Sequence, residues 1–198
     1  PVNSLKDSEE AATNKQAQIT PEKTIATLLD YNEVLTKKKT EREYIFEGRH
    51  KEGFSKDSNA NHPSSVTYLS DAISLNPENG LAYLNRGDAY YNLKQYEKAI
   101  EDYNKTIELD PENVIAYGRR GDAYGRLKQY ESAIMNYANA IDLDPEYAPA
   151  YNNRANILFT TRQYEKAIED YSKTIELDPE NDTVYSNRGL AYSGLEQY

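Results

Sequence analysis

The stretch that decides the fold is residues 80–113, which read GLAYLNRGDAYYNLKQYEKAIEDYNKTIELDPEN. An Asn/Asp-Pro-Glu motif at the end of this stretch occurs four times in the chain, with its prolines 34 residues apart. Other residues recur with the same period. Tyrosine stands at 83, 117, 151 and 185, arginine at 86, 120, 154 and 188, and a small residue at 87, 121, 155 and 189. A fixed period of this length indicates a tandem repeat array.

Each 34-residue unit contains two helical patterns. In residues 80–113, apolar and small side chains recur every three or four residues, first from Ala82 to Tyr90 and again from Tyr96 to Leu109. This is the period of one helix face. Proline cannot continue a helix, so Pro111 ends the second one. Asparagines at 79, 113 and 181 then stand where a side-chain acceptor caps the next helix, and Tyr147 breaks that rule.

This pattern resembles the tetratricopeptide repeat family, and the resemblance covers roughly residues 80–198. It implies an all-α fold, a right-handed superhelical solenoid of antiparallel helix pairs. We expect three full repeats and the first helix of a further one, at 80–113, 114–147, 148–181 and 182–198.

The first 79 residues are less regular. Residues 1–19 are polar and are expected to form a flexible arm. Residues 20–79 are expected to hold N-terminal helices, one starting at Thr20, and a degenerate repeat with a long loop. Its first helix would begin near Glu41, and its second would carry the apolar stripe of residues 64–75. The lysines at 37–39 fit a solvated helix face better than a basic binding site.

Composition excludes several functions. The formal net charge of −10 disfavours binding to nucleic acids or anionic membranes. The chain has no cysteine and two histidines, so we expect no metal site, no cofactor and no enzymatic activity. Its short apolar runs predict no membrane insertion. The compartment stays open: the cytoplasm is slightly favoured, and a mature exported protein is an alternative.

By resemblance to the family, the concave face is lined by positions two, five, six, nine, twelve and thirteen of each repeat, counted from residues 80, 114, 148 and 182. We expect a polar groove that binds an extended peptide segment of a partner protein, because asparagine both donates and accepts hydrogen bonds. The groove candidates are Asn85, Asp88, Tyr91, Arg119, Asp122, Asn153, Asn156, Phe159 and Asn187. The alternative is that these residues are merely solvated.

A more specific function within the family is disfavoured. Repeat domains that hold the C-terminal carboxylate of heat-shock chaperones use lysines at positions five and two, in the first and third repeats. Here those positions hold Leu84 and Pro149, or Gly118 and Thr183 in the next frame. An acid also occupies position nine, where it would repel a carboxylate.

Two further questions follow from the pattern. The arginines at position seven replace the usual leucine of the family, and they form either an anion-binding strip or a structural ladder stacked on tyrosines and paired with acids such as Asp102 and Asp170. The chain also stops at the start of what would be a second helix, so its C-terminal end predicts self-association as an alternative to peptide binding, or a fragment of a longer array.

Overall fold

In a computed structural model, the protein is described at residues 33–34, 36–43, 45 and 63–196. Eight helices follow one another within residues 63–196. They are α1 (Pro63–Leu75), α2 (Gly80–Asn92), α3 (Tyr96–Leu109), α4 (Val114–Arg126), α5 (Tyr130–Leu143), α6 (Ala148–Thr160), α7 (Tyr164–Leu177) and α8 (Asp182–Glu196).

Consecutive helices pack against each other along the whole series, most extensively within the pairs α2–α3, α4–α5 and α6–α7. The first helices of adjacent repeats also touch, α2 with α4 and α4 with α6. The predicted all-α solenoid of antiparallel helix pairs is therefore confirmed. None of the helices described here is long and apolar enough to cross a bilayer.

The junction between repeats is a short turn stabilised by the acidic or amide residue before each proline. The backbone amide of Glu112 donates to the Asp110 side chain (3.3 Å), and that of Glu146 donates to Asp144 (3.0 Å). The next helix is then capped by Asn113, which accepts from the amide of Ala116 at 3.0 Å. Tyr147 provides no such cap for α6, as its side chain predicts.

The turn inside each repeat has a left-handed residue, at Lys94, Lys128 and Arg162, with φ near 60°. The amide of the residue that follows reaches back to the last turn of the first helix, as Gln95 does to the Tyr90 carbonyl at 2.8 Å. Glycine is the common residue in this conformation, and none of the three turns has one.

The core of each repeat is a tyrosine of the second helix packed on a small residue of the first. Tyr103, Tyr137 and Tyr171 are at most 3% exposed. A Cβ atom added at Gly87 or Gly121 would lie 2.6 or 2.7 Å from the facing tyrosine ring, so these glycines permit the close approach of the paired helices.

The segment before the repeats is helical where it is described. Helical structure runs unbroken from residue 36 to residue 43, so the prediction that a helix begins near Glu41 was wrong at its start. Ile45 packs with Leu69 and Ala72 of α1, as a first helix paired with α1 requires. The lysines at 37–39 are exposed. The predicted arm at 1–19, the helix start at Thr20 and both histidines lie outside the described residues.

Replacing glycine by alanine at the same repeat position should have opposite effects on the free energy of unfolding at residues 121 and 189. We expect Gly121→Ala to lower the free energy of unfolding by about 1–2 kcal/mol, because the new methyl group would press on the Tyr137 ring. Gly189→Ala should raise it by about 0.5–1 kcal/mol, since nothing lies within 4 Å of an added Cβ there and alanine favours the helix. Urea denaturation of both variants measures the difference, and equal effects would contradict this account of the core.

Candidate functional site

A hydrogen-bond chain links the core to the groove positions in each repeat. The hydroxyl of the core tyrosine donates to the side chain at position nine of the first helix. Tyr103 bonds Asp88 and Tyr137 bonds Asp122, both at 2.8 Å, and Tyr171 bonds Asn156 at 2.7 Å. Position nine is thereby fixed in orientation by a buried ring.

The same position-nine side chain also receives a donor from the next repeat. Asn153 donates to Asp122 at 2.9 Å, and Asn187 donates to Asn156 at 3.4 Å. In the first repeat the equivalent contact is an ion pair, with Arg119 Nε 3.6 Å from Asp88. Position nine of each full repeat and position six of the next, predicted to line a peptide-binding groove, thus form a ladder that connects adjacent repeats.

A cavity of about 360 Å³ opens beside this ladder. It is lined by Tyr91 of α2, by Asp122, Gly125 and Arg126 of α4, by Tyr137 of α5 and by Asn153, Asn156 and Ile157 of α6. A second cavity of about 170 Å³ shares Asp122, Tyr137 and Asn153 with it and extends toward Arg119 and Tyr147. The first helices of three successive repeats therefore border one recess.

The glycine at position twelve of the second repeat creates much of this space. Tyr91 and Phe159 hold that position in the neighbouring repeats, and both ring systems pack edge-to-face on a tyrosine of the following helix, at centroid distances of 5.3 and 5.6 Å. Gly125 has no side chain between them. An added Cβ would reach ordinary contact distance from Ile157.

Burial raises the pKa of the Asp122 carboxyl, and the hydrogen bonds from Tyr137 and Asn153 and the charge of Arg119 oppose this rise. Burial also raises the pKa of Tyr171 to about 12. The pKa of Tyr137 is raised more, first by burial and then by the charge of the neighbouring Asp122 carboxylate. These phenols stay protonated at neutral pH and act as donors to position nine.

The sequence-predicted groove residues separate into three groups. The side chains in the ladder are Asp88, Arg119, Asp122, Asn153, Asn156 and Asn187, and those on the aromatic column are Tyr91 and Phe159. Asn85 is different, because it is only 8% exposed and its amide nitrogen has no hydrogen-bond partner in the described chain.

The predicted groove set omitted four cavity residues, Gly125, Arg126, Tyr137 and Ile157. Arg126 stands at position thirteen, which the family pattern includes, but it was not singled out. Its guanidinium donates to the Tyr91 hydroxyl at 2.9 Å. Gly125 stands at position twelve, which the family pattern also includes, but a glycine has no side chain to suggest binding. Ile157 and Tyr137 lie outside the family's groove positions.

The arginine column is a structural ladder. Arg86 and Arg154 form two-pronged ion pairs with Asp102 and Asp170, at 2.7–2.8 Å. Arg120 instead bonds the neutral amides of Asn136 and Asn104, at 2.6 and 2.7 Å. All four guanidiniums lie 5.3–5.8 Å from the ring of the tyrosine three residues earlier. The predicted pairing with Asp102 and Asp170 is confirmed.

No group of side chains in the described ranges could hold a metal ion. The polar residues of the recess therefore offer hydrogen-bond donors, acceptors and aromatic surface. Such a set binds a ligand through shape and hydrogen bonding.

Three family models match parts of the chain. The model described as tetratricopeptide repeat matches residues 80–113 and 148–181, a second model described as TPR repeat matches 121–162, and a third, again tetratricopeptide repeat, matches 102–135. Together they span residues 80–181, just over half of the chain. The chain belongs to the tetratricopeptide repeat family.

Solved structures of this family share its fold. MamA protein is 27% identical with a TM-score of 0.69, over 79% of this chain and 83% of that one. The first TPR of Spaghetti (RPAP3), bound to an HSP90 peptide SRMEEVD, is 29% identical with a TM-score of 0.58, over 59% and 93%. The Arabidopsis OM64 TPR domain is 25% identical with a TM-score of 0.57, over 59% and 96%. No curated protein matches the chain.

The loss of stability on replacing a position-seven arginine should depend on whether the residue that it bonds is charged or neutral. Arg154→Leu should lower the free energy of unfolding by about 3 kcal/mol, because Asp170, whose side chain is 8% exposed, would lose its counter-charge. The double variant Arg154→Leu/Asp170→Leu should recover most of that loss. Arg120→Leu should cost only about 1 kcal/mol, since its partners are neutral amides. Chemical denaturation of the three variants tests this, and a double variant as unstable as Arg154→Leu would contradict it.

Proposed function

We propose that this protein is a non-enzymatic scaffold that binds an extended peptide segment of a partner protein in the groove formed by α2, α4 and α6. The observation that carries the proposal is the 360 Å³ cavity, which collects side chains from three successive first helices. Side chains contributed by three successive first helices favour an extended segment, which can contact all three repeats along its length.

The composition of the groove supports a peptide ligand. Tyr91 and Phe159 offer aromatic faces, which anchor most protein interfaces. Asn153 and Asn156 line the cavity, and an asparagine amide can both donate to and accept from a peptide backbone. A related domain of this fold, the first TPR of Spaghetti (RPAP3), is bound to a peptide.

The groove differs from one that holds a chaperone C-terminal carboxylate. The Asp88 and Asp122 carboxylates occupy position nine, and each accepts a tyrosine hydroxyl. The ligand of this chain should therefore contact other groups than the Asp88 and Asp122 carboxylates.

Filling the cavity tests the proposal. Linear peptides selected by display on the unaltered chain should bind Gly125→Leu at least about tenfold more weakly, because the new side chain would occupy the recess between Tyr91 and Phe159. Gly189→Leu is the matched control, since it adds the same side chain on exposed α8. Fluorescence anisotropy gives the affinities, and circular dichroism verifies that both variants are helical.

If the selected peptides bind Gly125→Leu and Gly189→Leu with equal affinity, the groove between α2, α4 and α6 is not their site. If display yields no peptide that binds the unaltered chain, the proposed function itself fails.

Self-association through α8 is the second candidate function. Tyr185, Leu190 and Tyr192 of this helix are 42%, 58% and 50% exposed. At the position of Tyr192, the third repeat has Leu158, which is 5% exposed. Tyr185 and Tyr192, seven residues apart, share one face of α8, and exposed apolar side chains of this kind favour contact with another protein surface.

Light scattering over a concentration series tests this second function. Self-association should raise the average mass with concentration, and Leu190→Asp/Tyr192→Asp should abolish the rise because two charges would have to be desolvated in the contact. A constant monomer mass at the highest soluble concentration would exclude self-association through α8.

A further inference from the structure

Arg126 differs from the other charged residues of the groove. Arg119 lies 3.6 Å from Asp88 and 3.9 Å from Asp122, and both acids also accept tyrosine hydroxyls. In the described part of the chain, Arg126 forms no ion pair, and its bonded partner is the neutral Tyr91 hydroxyl. The charge of Asp122, one helical turn earlier, acts on Arg126, but among the described residues no carboxylate bonds this guanidinium directly.

The guanidinium of Arg126 is held at one edge only. Its Nε donates to the Tyr91 hydroxyl at 2.9 Å, and the Tyr91 ring is itself fixed edge-to-face on Tyr96. The two Nη groups remain available, and they are the groups with which arginine binds a carboxylate. The cation is therefore oriented before a ligand arrives.

Asn156 supplies a second donor to the same cavity. Its side-chain oxygen accepts from the Tyr171 hydroxyl and from Asn187, which fixes the orientation of the amide. Among the described residues, no hydrogen bond from its Nδ2 group accompanies these two. Asp122 of the same cavity accepts from Tyr137 and Asn153 at its Oδ1, and its Oδ2 lies 3.9 Å from the cation of Arg119.

We propose that this cavity binds the side-chain carboxylate of an aspartate or glutamate in the peptide, with Arg126 and Asn156 as donors. The inference rests on the proposed peptide-binding function and specifies its ligand chemistry. Ile157 provides the apolar wall for the methylene groups of the acidic side chain. Gly125 leaves the space that the side chain enters.

Substituted peptides test this assignment. The peptides selected by display are made with amidated C-termini, which removes the terminal carboxylate as a source of the anion. Each Asp or Glu is then replaced in turn by Asn or Gln. At one acidic position, replacement should weaken binding to the unaltered chain by roughly three- to tenfold, the range of a single partly exposed ion pair.

The Arg126→Gln variant should bind the acidic peptide and its amide counterpart equally well. Lys128→Gln is the matched control, because it removes the same charge from an exposed site two residues away and should keep the preference for the acid. Anisotropy titrations of the three proteins with both peptides give the comparison.

Asn156→Asp provides a second variant that retains the fold. Aspartate keeps the oxygen that Tyr171 and Asn187 need, as Asp122 does at the same position of the previous repeat. It replaces the free donor by a negative charge, so acidic peptides should bind at least about tenfold more weakly.

The assignment fails if selected peptides bind the groove without an acidic position that matters, if they are enriched in lysine and arginine, or if only free C-termini bind. It also fails if Arg126→Gln keeps the preference for the acid. Those results leave the peptide-binding function standing, whereas the absence of any bound peptide counts against both.

Discussion

The structure depends on one buried tyrosine in each repeat. Its ring packs on a small residue of the facing helix, as Tyr137 does on Gly121. Its hydroxyl must then find an acceptor, because an unpaired buried hydroxyl is costly. The acceptor at position nine also receives the side chain of the next repeat, as Asp122 does from Asn153. Core packing, groove chemistry and the contact between repeats are thus set by the same side chain, which explains why tyrosine and not phenylalanine stands at 103, 137 and 171.

A second set of polar contacts, formed by the position-seven arginines, joins the repeats. Each arginine stacks on a tyrosine of its own helix. The hydrogen bonds of Arg86 and Arg120 reach the second helix of their own repeat and also the second helix of the preceding repeat. Leucine at this position would contribute apolar area alone. The array therefore replaces part of an aliphatic interface by directional hydrogen bonds, which specify one register between neighbours.

The sequence predicted the repeats well because their period is carried by residues with strict local roles. The prolines that follow the second helices, such as Pro111, prevent those helices from continuing. The glycines at 87 and 121 each make room for a tyrosine ring sixteen residues later. The site was predicted less completely. The family positions identified the ladder residues, but they did not predict the hydrogen bond between Asn153 and Asp122. The cavity depends on an absent side chain at Gly125, and local patterns do not record empty space. The start of the helix near Glu41 was misplaced, because the segment has no proline or glycine to mark a break.

The contacts between repeats use equivalent positions, and this bears on how such arrays change in length. Residues 96–113 and 164–181 differ at one position, Asn104 against Ser172. Each accepts a hydrogen bond from the arginine of the following repeat, Arg120 or Arg188. If recombination removed residues 114–147, Asn153 would face Asp88 and could form the bond it now forms with Asp122. Nearly identical segments favour such unequal exchange, and equivalent contacts make its products foldable, so a lineage can lengthen or shorten its binding surface by whole repeats.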